Sequence, residues 1–323
     1  MRYLTRTQID DDAYDRCVAA SPERMIYAFS WYLDIVSPGW EVLVEGDYEA
    51  VMPLPVRRRY GVKALIQPLF CHQLGVFTAE KPTDATRLYA FLQTLSRHIR
   101  YAPSYQLHTG NEKVLSAASP FTESLHVRPL TNHVLRLEEP YTLLAAQYSR
   151  DRRLNLRRGL QADWTYSDTD DIEPLIAHFQ SYNTGGIGRV ASNAYPMLRQ
   201  LVRTLLERGH ARLRVAHRQG AVEAGCLLVT DVNRVIHLFC AASPAGRKGN
   251  ARTVILDGFI QEYAGKPMLF DFESPEVESL ASFNQSFGAV NEAFVRVSYS
   301  QLPGAIQWMH KLKKRLHLAI RNA

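Results

Sequence analysis

Residues 235–260 read VIHLFCAASPAGRKGNARTVILDGFI. An apolar run ending at Ala241 predicts a strand. A turn of small residues follows, carrying Ser243, Pro244, Gly246, Arg247, Lys248, Gly249, Asn250 and Ala251. A helix is then predicted over 252–264. Glycines let a backbone approach a ligand closely. The free N–H groups at a helix start attract anions. Arg247 and Lys248 add positive charge at the same place. Ala241, Ser243, Gly246, Arg247, Lys248, Gly249, Asn250 and Ala251 are therefore the candidate cradle for a phosphate or pyrophosphate. The pattern is neither a Walker A loop nor GxGxxG. It also suits an ordinary strand–turn–helix link with solvated basic residues.

Outward from this stretch, helical and strand periodicities alternate, which argues for a mixed α/β class. On the N-terminal side, helices are predicted at 9–20, 24–36 and 83–99. A hairpin is predicted from 40–44 and 48–56 about the Gly46-Asp47 turn. Arg57-Arg58-Arg59-Tyr60-Gly61 reads as an exposed basic connection. Short strands at 64–67, 74–77, 105–108 and 133–137 complete a first sheet. Later helices are expected at 142–161, 172–182, 195–208 and 277–287. Strands are expected at 211–216, 222–230, 268–272 and 294–299. The two halves share one loose order, so the expectation is two similar α/β domains of about 150 residues. The boundaries are placed at 1–140 and 141–302, with a basic helix in 303–323.

The 323 residues are 46% hydrophobic, 10% aromatic and 22% charged, a globular composition that excludes collagen, coiled-coil and disordered classes. The net charge of +6 suits an anionic partner but does not choose one. The four cysteines (Cys17, Cys71, Cys226 and Cys240) show no CxxC spacing, which argues against a disulfide framework or a structural zinc. The scattered histidines predict no metal site. No apolar run approaches the roughly 18 residues of a membrane helix, and the N-terminus lacks a secretory signal pattern. A cytoplasmic protein is expected.

The turn at 246–251 resembles the acyl-CoA loop of the GNAT acyltransferase superfamily, Q/R-x-x-G-x-G/A, with Gly249 and Ala251 in its second half and Gly246 where Gln or Arg is usual. Asp271-Phe272-Glu273-Ser274 and Phe283-Asn284-Gln285-Ser286-Phe287-Gly288-Ala289 resemble the DFEGS…FYKSFGA segment of Fem-like (FemAB-type) proteins, which are two GNAT domains in tandem. Tyr148-Ser149 with Arg152, Arg153, Asn155, Arg157 and Arg158 resembles their YS…RRNIRKA helix. Residues 67–75, from Gln67-Pro68 to Gln73-Leu74-Gly75, resemble their first-domain core. The family's glycine after the Glu is absent here. The resemblance implies two tandem GNAT-like domains, each a mostly antiparallel sheet flanked by helices, the first without a cofactor loop.

It also implies acyl transfer. Fem-like proteins pass an amino acid from aminoacyl-tRNA to a cell-wall precursor. Other GNAT proteins pass acetyl from acetyl-CoA to an amine. The attacking amine must lose a proton. Asp271 and Glu273, two apart at a strand end, are the candidate bases, expected on one face. Either carboxylate also suits a helix cap or a pair with Arg252. Tyr299 and Tyr263 are candidate acids for the leaving group. Arg153 and Arg157, one helical turn apart, and Tyr182 are candidate substrate contacts, although a solvated basic face fits the arginines equally. The loop 183–188 is a candidate substrate loop or a plain connector. Cys71-His72 cannot cooperate locally, because adjacent strand residues face opposite ways. The helix 305–320 suits docking on its own domain, or a membrane surface or RNA.

The expectation is an N-acyltransferase taking acetyl-CoA or another acyl-CoA to an amine on a small molecule, sugar or peptide precursor. The alternative donor is aminoacyl-tRNA. An alternative of another class is a non-catalytic protein that binds RNA or an anionic ligand.

Overall fold

The computed structural model describes residues 1–59, 62–79, 81–117, 125–182, 193–273 and 277–304. The chain divides into two compact units, Met1–Leu130 with Phe294 onward, and Thr131–Ala293. These bounds differ from the sequence-based 1–140 and 141–302. The strand His126–Arg136 already enters the second sheet, and the chain returns to the first unit with its last strand. The expected C-terminal helix and the 183–188 loop lie outside the described residues.

The first unit has an antiparallel sheet in the order Arg2–Leu4, Glu41–Glu45, Ala50–Leu54, Phe77–Thr78. The expected hairpin forms, with Gly46 and Tyr48 at positive φ in its turn. The first three residues of the basic run are strand rather than connection, and Tyr60-Gly61 lies outside the described residues. Arg57 and Arg58 lie in the strand Val56–Arg59, paired with Val62–Leu65. Alternation lets a strand carry such residues when one face is solvated. Helix Ala85–His98 buries Leu88, Phe91, Leu92 and Leu95, as its periodicity predicts, and Asp84 caps it by accepting the Arg87 N–H at 2.8 Å. Tyr101–Leu107 pairs antiparallel with the Val295–Ser300 part of the last strand.

In the second unit the strand order is His126–Arg136, Leu269–Asp271, Arg234–Ala242, Ala221–Asp231, Ala211–Arg218, Thr165–Thr169. Every neighbouring pair in this run is antiparallel except Arg234–Ala242 with Leu269–Asp271. The helix Ala251–Tyr263 makes that parallel connection. It buries Val254, Ile255, Leu256, Phe259 and Ile260 among others. Each fully buried aliphatic or aromatic side chain is worth about 1.5–3 kcal/mol. That outweighs its missing N-terminal side-chain cap, worth about 1 kcal/mol. Asn250, at φ 55°, turns the chain into this helix.

The expected 142–161 helix is two, Tyr141–Ala146 and Arg150–Leu160. Ser149 accepts the Arg152 N–H at 3.1 Å and so starts a new helix. At Gly159 an added Cβ would meet Val254 Cγ2 at 2.6 Å, so the second helix packs tightly on Ala251–Tyr263. The edge strand Thr165–Thr169 is polar enough (TYSDT) to read as a loop.

Candidate functional site

The parallel strands stay together for only three residue pairs: Arg234 with Leu269, Val235 with Phe270, and Ile236 with Asp271. Beyond Asp271 the chain turns away, because Glu273 takes a left-handed backbone at φ 46°. Such a conformation costs a non-glycine residue about 1 kcal/mol or more. The separation leaves 237–240 with no strand partner on that side among the described residues. A cavity of about 220 Å³ fills the gap, lined by His237, Leu238, Cys240, Arg252, Glu273 and Phe283 among others.

The facing ladder is also irregular there. Leu227 opposes Phe239 and Leu228 opposes His237, so Leu238 is the extra residue of a β-bulge. A bulge leaves its extra residue out of the ladder and re-aims the strand. Leu238 lines the cavity.

The point of separation is pinned by buried charge. Asp271, 1% exposed, accepts from Arg234 Nη1 at 2.6 Å and from Asn132 Nδ2 at 2.8 Å. Arg234 also reaches Glu292 at 2.9 Å. Burial works against the charge of Arg234, but Asp271 and Glu292 hold its guanidinium protonated well above the ordinary value. Asp271 Oδ1 further accepts the Glu273 backbone N–H at 2.8 Å. The two carboxylates therefore do not share a face as the spacing suggests. The strand ends at Asp271, so period-2 alternation stops before Glu273. Asp271 faces the ion network and Glu273 the cavity.

Tyr299 belongs to the first unit, and its hydroxyl donates to the Ile99 carbonyl at 2.9 Å. Burial pushes that phenol well above its usual range. It is spent on structure and is not brought to this cavity's lining. Tyr263 shares a hydrogen bond with Thr230 Oγ1 at 3.1 Å. Cys71 is buried, and the His72 ring packs on Phe294 at 4.9 Å.

The 243–251 turn is ordered by hydrogen bonds of its own. Residues Pro244–Lys248 form a short helix capped by Ser243, which accepts the Gly246 N–H at 3.0 Å and donates to the Glu223 carboxylate. The N–H groups of Arg247, Gly249 and Asn250 go to Ser243, Ala245 and Arg247 carbonyls at 3.0, 2.9 and 3.1 Å. A Cβ on Gly249 would lie 2.3 Å from the Trp164 ring, and one on Gly246 would lie 2.2 Å from the Glu223 carbonyl oxygen. Both glycines are thus required by the protein's own packing. Ala241 pairs with Gly225 in the sheet, and Ala251 is buried in the core. Within the turn, the N–H groups of Gly246, Arg247, Gly249 and Asn250 are therefore already bonded to its own oxygens. Arg247 and Lys248 remain exposed, with Arg247 Nη2 donating to the Tyr182 carbonyl at 3.0 Å.

Arg153 and Arg157 lie on the exposed face of Arg150–Leu160, with Arg150 and Arg158. Arg153 donates to the Ala146 carbonyl at 3.2 Å. Arg152 instead points inward, 5% exposed, bonded to Ser286 Oγ at 2.9 Å and Thr253 Oγ1 at 2.6 Å. Burial, helped by the charge of Arg252, lowers Arg152 to about 10. Both guanidiniums sit over the Phe283 ring, at 4.1 Å for Arg152 and 4.4 Å for Arg252.

Sequence reasoning overlooked His237 and Cys240 as site residues. Arg252 Nη1 donates to Cys240 Sγ at 3.5 Å. Cys226 is directly opposite Cys240 in the ladder. The Cys226 thiol's hydrogen bond lowers Cys240 well below the usual thiol range; burial opposes this, and Arg252 and His237 add to it. Cys226 itself is raised, chiefly by burial. The only sequence signal was two cysteines on adjacent predicted strands. Among the described residues, no group of three or more His, Cys, Asp or Glu side chains is placed to hold a metal. Nor is any helix there long and apolar enough to cross a membrane.

A family model described as an acetyltransferase (GNAT) domain matches residues 145–273. No curated protein matches the chain. Among solved structures, FemX is 12% identical, with 91% of this chain and 97% of that one covered at a TM-score of 0.62. A conserved protein of unknown function from Bacteroides thetaiotaomicron VPI-5482 is 13% identical, with coverages of 91% and 98% and a TM-score of 0.59. L-PGS from Bacillus licheniformis is 9% identical, with coverages of 84% and 87% and a TM-score of 0.50. At such identities the likeness is one of fold.

Proposed function

We propose that this chain, which has the Fem-like tandem GNAT fold and carries a GNAT acetyltransferase domain at residues 145–273, is an acyltransferase that joins an acyl group to an amine. The observation that carries this reading is the cavity opened by the parting of Arg234–Ala242 from Leu269–Asp271. Glu273 supplies a carboxylate there to take the amine's proton. The bulge at Leu238 offers backbone N–H donors for the oxyanion of the tetrahedral intermediate. Asp271 is a positioning residue, since it holds the Glu273 backbone.

GNAT domains in general work with acyl-CoA. A second donor, aminoacyl-tRNA, is favoured by the exposed arginines Arg150, Arg153, Arg157 and Arg158 on one helix. Both donors present an activated carbonyl, a thioester or an ester. The acceptor class is an amine on a small molecule, sugar or peptide precursor.

The test offers purified protein labelled acetyl-CoA and, separately, charged tRNA, each with a panel of amines. Transfer that depends on Glu273 supports the reading, and the productive donor decides between the two. Absence of transfer from either donor, together with Glu273→Gln keeping full biological activity, would establish a non-catalytic binding protein instead.

A further inference from the structure

Cys240 stands out among the cavity residues. It is the one thiol on the lining among the described residues, and charged or polar groups from several elements touch it or share its cavity. Arg252 comes from the helix Ala251–Tyr263, 3.5 Å from Sγ. Cys226 comes from the adjacent strand, directly opposite. His237 lies on Cys240's own strand, and Glu273 lies on the segment that leaves the sheet. His237 also keeps a buried Nε2 atom with no hydrogen-bond partner at this same cavity. An unpaired buried nitrogen is costly unless a ligand or reacting group meets it.

Arg252 has an unusual surrounding. Burial works against its charge, while Cys240 and Cys226 favour it. A cation partly withdrawn from water favours a nearby negative charge. A thiolate at Cys240 meets that need. The thiolate, not the thiol, is the nucleophilic form of cysteine.

We propose that Cys240 is the covalent acyl acceptor of this site, its sulfur holding the acyl group as a thioester before the amine receives it. The inference rests on the acyltransferase reading above. In the first half, the Cys240 thiolate adds to the donor carbonyl carbon. The donor's C–S or C–O bond breaks, and the carrier leaves and takes a proton from His237 or solvent. In the second half, the amine nitrogen adds to the new thioester. Its proton passes to Glu273, the C–Sγ bond breaks, and the thiolate returns. No electrons are gained or lost. Such division of one step into two is the general gain of nucleophilic catalysis.

The experiment uses the full chain with 4-nitrophenyl acetate as an activated ester, and acetyl-CoA in parallel. The readouts are intact mass, peptide mapping and amine product. One acetyl group on Cys240, removed by added amine with product formed, is the expected result. Cys240→Ser is expected to lose more than about 100-fold in turnover. A second readout does not need turnover. Iodoacetamide should alkylate Cys240 with a midpoint below the usual thiol value of about 8.5, and Arg252→Gln should move that midpoint upward.

Product formed with no acetyl on Cys240, and full turnover in Cys240→Ser, would overturn the covalent role and leave the acyltransferase reading standing. Acetyl held on Cys240 but passed to no amine would support the nucleophile and remove the amine acceptor. Neither label nor product from either donor, with Cys240 alkylating like a free thiol, would overturn both.

Discussion

Asp271 accepts the backbone N–H of Glu273 at 2.8 Å, although the chain between them has already left the sheet. One carboxylate thus fixes the position of the other. Two residues that look interchangeable in the sequence have separate tasks, the first in a buried ion network and the second at the cavity.

This difference predicts opposite phenotypes. Asp271→Asn removes a buried partner of Arg234, so unfolding free energy should fall by about 3 kcal/mol. Glu273→Gln should change stability by no more than about 0.5 kcal/mol. It should cut turnover by roughly 10²–10⁴. Urea denaturation and steady-state kinetics on both variants check the split. Equal stability losses would remove Asp271's special place.

The glycines of the 243–251 turn should respond as packing residues. Gly249→Ala pushes a methyl into Trp164, whose Nε1 is tied to the Gly249 carbonyl at 2.9 Å. A loss of about 1–3 kcal/mol is expected. Gly246→Ala should cost more, because its obstacle is the Glu223 backbone rather than a side chain. Thermal melts of the two variants, without any ligand, give the order.

Asp257 gives a pH signature. Burial raises its pKa above the ordinary aspartate value, and hydrogen bonds from the Tyr141 hydroxyl at 2.9 and 3.0 Å offset only part of this. The folded chain therefore binds this proton more tightly than the unfolded chain. Its stabilising contribution is complete below the unfolded value of about 3.9, and is lost as pH rises through the folded value. Asp257→Asn should be more stable than the parent at pH 7, with the gap closing in acid. Denaturation midpoints at several pH values test the sign.

The exposed arginines make a prediction about ionic strength. If Arg153 and Arg157 meet a tRNA backbone, each Arg→Gln change should reduce the log–log salt slope of binding by about 0.7–0.9. The melting temperature should stay put, since both side chains are exposed. Filter binding across a salt series measures the slope. An unchanged slope would leave the basic face as a solvated surface.

Much of the fold is legible in the sequence because burial imposes periodicity. The face of Leu88, Phe91, Leu92 and Leu95 and the meander from Ala211 to Ala242 follow directly from it. The break at Ser149 and the polar edge strand Thr165–Thr169 do not, because a single cap and a half-exposed edge leave little periodic trace. At the site, Glu273 was readable by resemblance, whereas its separation from Asp271 depends on one left-handed residue. Cys240 and Arg252 are twelve positions apart and meet only because a strand and its following helix fold together. Their meeting is a tertiary event that no spacing rule announces.

Phe283 bears two guanidiniums on its ring, one of them from the cavity lining. That arrangement makes position 283 a natural optical reporter. An indole introduced there by Phe283→Trp would emit from beside two cations. Its emission colour would shift whenever an anion or a thioester altered their field. Occupancy of the cavity could then be followed in real time, on the millisecond scale of a stopped-flow record, with no need to know the product.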